Sequence, residues 1–336
     1  MKLLYAIQGT GNGHLARALD IVPLLQQRAS QVDVLISGPP ADIELPFPVR
    51  YRYHGMGFVF GKKGGISFSK TFWQLNSSAF VREMRELPVG EYDVVISDFE
   101  PVSAWACRLR NVPCFALSHQ SAVLSDLAPR PTRPDPVGRA VLRHYAPASR
   151  HYGFHFQRYE PHIHTPVIRQ QVRALTPQND GHYTVYLPAY EEATLVERLR
   201  YLSRSVQWEV FSKHSQQESE HGNVRVKPVS GAAFTQSLAR SAGVFCGAGF
   251  ETPAEALYLG KKLLVLPMKQ QYEQACNAAA LAGMGVPVVK SLKDKSLDVL
   301  DQWLQVGRPV PVHYPDETAA IIDKLLLEAA GGVGRR

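Results

Sequence analysis

The chain has 336 residues, 45% of them apolar and 20% charged, with a formal net charge of +7. That length suits two domains of about 150 residues each, and no stretch approaches the ~18 uninterrupted apolar residues of a membrane-spanning helix. Four cysteines without C-x-x-C spacing fit a reducing compartment, and the absence of any zinc-finger, RNP, KH or basic-zipper pattern argues against a nucleic-acid partner.

Residues 2–7 (KLLYAI) form an apolar run too short for a signal-peptide core and without a cleavage site. They read as the first strand of a cytoplasmic protein. GTGNGHLARALDI (9–21) turns that strand into a first helix. VDVLIS (32–37), YDVVIS (92–97) and VPCFALS (112–118) continue as buried parallel strands, with helix-spaced apolar residues in LARALDIVPLLQQRA and VSAWACRLR. Between 121 and 165 the pattern gives way to Pro, Arg and His. It restarts in HYTVYLP (182–188), VQWEVFS (206–212), NVRVKPV (223–229), GVFCG (243–247) and KLLVLP (262–267), separated by several helical segments. The predicted organisation is two doubly wound α/β units in tandem, residues 1–165 and 166–315. A terminal helix and Gly-rich tail, 316–336, can pack on either unit, including back on the first.

The first loop places glycines at 9, 11 and 13 before His14. It lacks the G-x-G-x-x-G pattern with an acid ending strand two, and the Gly-Lys-Ser/Thr of a Walker loop. What remains is a turn whose backbone at Gly11 and Gly13 can approach a ligand, with His14 at a helix N-terminus. The positive end of a helix disfavours imidazolium, so His14 is expected to lean towards the neutral form a general base needs. The plainer alternative is a capping histidine beside a tight turn. ISDFEP (96–101) lies at the same sheet edge, so Asp98 or Glu100 stands to orient His14. Capping of the following helix is the competing role for Asp98.

The densest pattern is FCGAGFETPAEALYLGKKLLVLPMKQQYEQACNAAAL (245–281). A strand ends at Cys246, Gly247-Ala248-Gly249 turns the chain, and Thr252-Pro253 opens a helix. A Gly-rich turn against a helix N-terminus is an anion site suited to a diphosphate. Glu255, one turn on, has the two acceptor oxygens a ribose diol requires. MKQQYEQACN supplies amide and acid side chains able to read sugar hydroxyls.

This order of motifs resembles the nucleotide-sugar site of GT-B glycosyltransferases. It is most similar to the branch of the lipid-linked peptidoglycan N-acetylglucosaminyltransferase and the UDP-glycosyltransferases. GTGNGH resembles that branch's GTGGH loop with one extra residue, and ISDFEP resembles the aspartate segment that supports the histidine. Within that group the chain resembles a bacterial and archaeal subgroup with G-x-G-x-G-H-x-x-R and S-D-F-E-P. The resemblance implies two Rossmann-like domains facing a central cleft, acceptor domain first. It implies a UDP-sugar donor and inverting transfer to a hydroxyl, with His14 as base. By position, Gly249 and the backbone of Phe250, Glu251 and Thr252 would hold the diphosphate and Glu255 the ribose. Glu273 and Gln274 would contact the sugar, with Asn277 supporting their helix. Ser230, Gly231 and Phe234 would lie at the base. Two departures stand out: LPAYEEA (187–193) replaces a second Gly-rich loop, and the sugar pair is Glu-Gln rather than Gln-Gln.

The histidines of 151–164 lack acidic or cysteine partners at a metal-binding spacing, and there is no D-x-D, so no metal and no cofactor is expected. No G-x-S-x-G elbow supports a hydrolase. Residues 129–150 carry five arginines against one aspartate, and 60–73 mix lysines with aromatics. An anionic or lipid-linked acceptor, or peripheral contact with the inner face of a membrane, would explain both stretches. A UDP-sugar 2-epimerase on the same fold and a non-catalytic nucleotide-sugar-binding protein are the alternatives.

Overall fold

Leu3 to Ile7 are all fully buried, which requires cover on both faces of the strand they form. The computed structural model, which describes residues 1–39, 43–56, 77–202, 206–292 and 297–333, shows that cover. The first sheet contains β1 (Lys2–Gln8), β2 (Gln31–Ser37), β3 (Tyr51–Tyr53), β4 (Val94–Asp98), β5 (Cys114–Ser118), β6 (Arg150–Phe154) and β7 (Ile163–His164). Its order is β3-β2-β1-β4-β5-β6-β7, parallel throughout. Around it lie α1 (Asn12–Gln26), α2 (Ser77–Glu86), α3 (Pro101–Arg110), α4 (His119–Val123) and α5 (Pro136–Tyr145).

A short α6 (Gln170–Arg173) leads to the second sheet of β8 (His182–Tyr186), β9 (Gln207–Ser212), β10 (Ser219–His221), β11 (Val224–Pro228), β12 (Gly243–Gly247) and β13 (Lys262–Leu266). Its order is β10-β11-β9-β8-β12-β13, with only the β10–β11 pair antiparallel. Its helices are α7 (Glu192–Leu202), α8 (Gly231–Arg240), α9 (Glu251–Tyr258), α10 (Tyr272–Gly283) and α11 (Leu297–Val306).

Strand order reverses between β1 and β4 in one sheet and between β8 and β12 in the other. A crevice opens at the carboxyl ends of strands at such points. The loops carrying His14, Asp98, LPAYEEA and GAGF therefore leave their strands where the topology opens a site.

The last helix, α12 (Thr318–Val333), packs on α1 and the first sheet. Arg28 pairs with Asp323 at 2.5 Å, and Glu328 accepts from Tyr152 Oη at 2.6 Å and Arg150 Nε at 2.9 Å. One buried apolar cluster runs from Leu15 and Val22 through Ile322 and Leu325 to Val244 and Val265 of the second sheet. The stretch 121–165, without strand pattern in the sequence, contains β6 and β7. The Lys-aromatic segment 60–73 lies outside the described residues. Among the described residues no helix is long and apolar enough to cross a membrane.

Candidate active site

Gly11 takes φ +89° immediately before α1, a left-handed conformation that glycine adopts without strain. A Cβ at Gly13 would collide with the Glu251 carboxylate, so glycine there admits the N-terminus of α9. Helical spacing then puts His14 and Arg17 on one face of α1. β4 ends in Asp98, and Phe99 (φ +56°) stacks its ring on His14, with centroids 6.4 Å apart and planes at 11°.

His14 Nδ1–H donates to Asp98 Oδ1 at 2.8 Å, which leaves Nε2 as the basic atom. Arg17 grips the same carboxylate, Nη2 to Oδ1 at 2.7 Å and Nε to Oδ2 at 3.1 Å. Tyr5 Oη adds a weaker contact at 3.4 Å. Burial pulls the His14 pKa down, but the charge and hydrogen bond of Asp98 outweigh it, so the imidazole sits above its ordinary value. This corrects the expectation drawn from the helix terminus: a buried carboxylate in contact overrides a half-charge of the backbone. Burial likewise pushes the Asp98 carboxyl up, and Arg17 and His14 hold it below the usual range.

Glu100 does not reach His14. It is fully buried and caps α3, accepting from Val102 N at 2.7 Å, Ser103 N at 2.6 Å and Ser37 Oγ at 2.6 Å. The cap lies two residues after Asp98, and Asp98 itself faces the histidine.

On the second sheet, a cavity of about 110 Å3 is lined by residues 186–190, Gly247, Gly249, Thr252, Met268 and Gln274, among others. Phe250, the N-cap residue of α9 beside it, makes no side-chain cap hydrogen bond. Gln274 Oε1 accepts from Met268 N at 2.9 Å. Asn277 donates to Ala248 O at 3.1 Å, which holds the glycine turn, and its Oδ1 lies 2.7 Å from His119 Nε2. The His119 ring stacks on Phe250 with centroids 3.9 Å apart, and burial holds its pKa below the ordinary imidazole range.

Glu273 lies outside this cavity and accepts from Gln120 Nε2 at 3.1 Å; the same nitrogen is 3.5 Å from His14 Nε2. Glu255 is 3% exposed, and both its oxygens are taken by Arg169, at 2.5 and 2.8 Å. It therefore does not present the open carboxylate expected for a ribose. One turn into α9, its side chain points to the segment joining the sheets rather than to the cavity. Ser230 caps α8 by accepting from Ala233 N at 3.2 Å, and Gly231 begins that helix. The Phe234 ring packs between Tyr186 and Phe211. Of these three, Phe234 packs on Tyr186, which lines the cavity. Among the described residues no group of three or more His, Cys, Asp or Glu side chains could hold a metal ion.

A family model described as glycosyl transferase family 1 matches residues 1–306. The chain belongs to that family. No curated protein matches it. Among solved structures, this glycosyltransferase is similar to MurG of Acinetobacter baumannii, with 18% identity and a TM-score of 0.59 over 98% of this chain and 100% of that one. It is also similar to Phytolacca americana UGT2 in complex with UDP-2-fluoro-glucose and pterostilbene, with 13% identity and a TM-score of 0.59 over 98% and 94%. SnogD from Streptomyces nogalater aligns at 15% identity and a TM-score of 0.53 over 97% and 99%. At these identities the likeness shows the fold, which is GT-B.

Two residues without an assigned role in the sequence also stand beside His14 in this glycosyltransferase: Arg17, present there only as the last letter of G-x-G-x-G-H-x-x-R, and Gln120. Arg17 lies one turn along the same helix. Gln120, 4% exposed, follows β5 at the sheet edge that carries Asp98, and its Oε1 is buried without a hydrogen-bond partner among the described residues. Reading the residues after every strand of the sheet, not only β1 and β4, would have found it.

Proposed function

We propose that residues 1–165 bind an acceptor hydroxyl, residues 166–315 bind a UDP-sugar, and transfer inverts the sugar without a metal. The observation that carries this reading is the His14–Asp98 pair facing donor-side Glu251 and Glu273 through Arg17 and Gln120. His14 Nε2 takes the acceptor proton. The oxygen attacks the anomeric carbon from the face opposite the diphosphate, and the departing bond's electron pair leaves with the diphosphate. The N-terminal end of α9 and the backbone around Gly249 and Thr252 stabilise that leaving charge. UDP is favoured because Phytolacca americana UGT2 is seen with UDP-2-fluoro-glucose.

An anionic or lipid-linked acceptor, met at the inner membrane face, fits the surface of 129–150. Arg133 and Arg143 are exposed there beside Val137 and the neighbouring Leu127, whereas Arg130 and Arg139 pair with Asp126.

The test is thermal stabilisation by UDP, dTDP and GDP on the native chain and on Gly249→Leu. A Cβ at Gly249 meets nothing within 4 Å, so the added side chain enters open space in the cavity proposed for the nucleotide. UDP at about 100 times its dissociation constant should add roughly 2.7 kcal/mol to the native chain and nothing to the variant. A melting curve indifferent to every nucleotide would remove the donor site. UDP-sugar turnover without any acceptor would favour the epimerase instead.

A further inference from the structure

Arg17 is 2% exposed, and its guanidinium is divided between carboxylates from the two sheets. Nε and Nη2 hold Asp98, and Nη1 pairs with Glu251 at the start of α9. Asp98 Oδ1 accepts from Arg17 Nη2 at 2.7 Å and from His14 Nδ1 at 2.8 Å. The oxygen that orients the base is thus the oxygen Arg17 pulls on. The planar fork of arginine can serve two carboxylates in this way, and the single ammonium of lysine cannot. The charges facing His14 are Asp98 from β4, Arg17 from its own helix, Glu251 from α9 and, beyond Gln120, Glu273 from α10.

We propose that Arg17 is a positioning residue through which the seating of α9 reaches the His14–Asp98 pair, so that the base is fully set only when the donor-side helix is docked. With Glu251 in place, the positive charge of Arg17 is shared and Asp98 acts more strongly on His14. With α9 withdrawn, Arg17 is left to Asp98 alone, the field on His14 weakens, and the imidazole becomes a poorer base. The directions agree with the charges present: Asp98 and Glu251 raise the proton affinity of His14, and Arg17 lowers it. A two-domain transferase would gain from this arrangement, because proton removal would wait for donor-side closure. That consequence rests on the transferase reading; the electrostatic link does not.

The experiment is a titration of the His14 imidazole by NMR on protein carrying carbon-13-labelled histidine, with His14→Gln identifying its signal among the 12 histidines. No sugar, nucleotide or acceptor is required. Glu251→Gln should lower the His14 pKa, and Arg17→Met should raise it, each by about half a unit to one unit. Titrations superimposable on the native curve, or moved in the opposite direction, would overturn the proposal and leave Arg17 a mere tie between helices. Should Arg17→Met fail to fold, Glu251→Gln decides alone, since Glu251 is a quarter exposed and its replacement buries no unpaired charge. If the titrations move as expected while no transfer is ever detected, the link stands and the transferase reading falls.

Discussion

At the scale of single residues, the chemistry turns on what surrounds His14. Asp98 raises its pKa, and the base must be unprotonated to act. The rate should therefore fall as pH drops through a value above that of an ordinary imidazole. Asp98→Asn removes the charge that raises the pKa, so the acid limb of kcat/KM should move to lower pH. The rate should drop by about 100- to 10,000-fold as the ring loses its orientation. A pH profile of kcat/KM on both proteins checks this, and a limb unmoved by the substitution would detach Asp98 from the base. His14 was legible because three glycines beside a histidine are an uncommon local pattern. Arg17 and Glu251 were not legible as a pair, because 234 residues separate them and nothing local to either marks the other.

At the scale of elements, Glu100 shows how neighbouring acids divide. Both lie at the carboxyl end of β4 and both are fully buried, yet Asp98 ends the strand facing α1 while Glu100 turns back onto the first amides of α3. Phe99, in a left-handed conformation between them, makes the two side chains diverge. Glu100→Ala should cost about 1–2 kcal/mol of stability through loss of the cap, read from denaturant midpoints. The acid limb of the pH profile should keep its place, because Glu100 does not touch His14. The long strands were readable from runs of buried β-branched and aliphatic residues. β3, β7 and β10, of two or three residues each, carry too little pattern to stand out, and β6 is written in Arg, His and Tyr.

At the scale of the molecule, buried histidines tie stability to pH. Burial pushes down the pKa values of His119, His151 and His155, and that of His164 to about 4. Each contributes stability that is present above the unfolded imidazole value and lost as pH falls towards the folded one. His14, whose pKa is raised, works the other way: its contribution is present below the unfolded value and lost as pH rises through the folded one. Among the imidazoles four groups against one set the sign, so their joint contribution should weaken the chain between about pH 7 and pH 5. The slope should reach up to about 1.4 kcal/mol per pH unit for each histidine that stays neutral. Urea midpoints across that range measure it, and a flat profile would mean that these histidines are hydrated in solution.

The sequence by itself determined the α/β class, nine of the ten described parallel strands of five or more residues, the glycine-rich turns and the presence of a histidine and an acid at one sheet edge. Those features are local: periodicity, turn chemistry and caps act over a few residues, so they can be read a few residues at a time. Only the tertiary structure decided which carboxylate holds His14, that Arg169 occupies Glu255, and that Arg17 and Gln120 link the base to the second sheet. Those choices are made where loops from two sheets meet, and there a side chain's partner is set by direction and burial rather than by its neighbours along the chain.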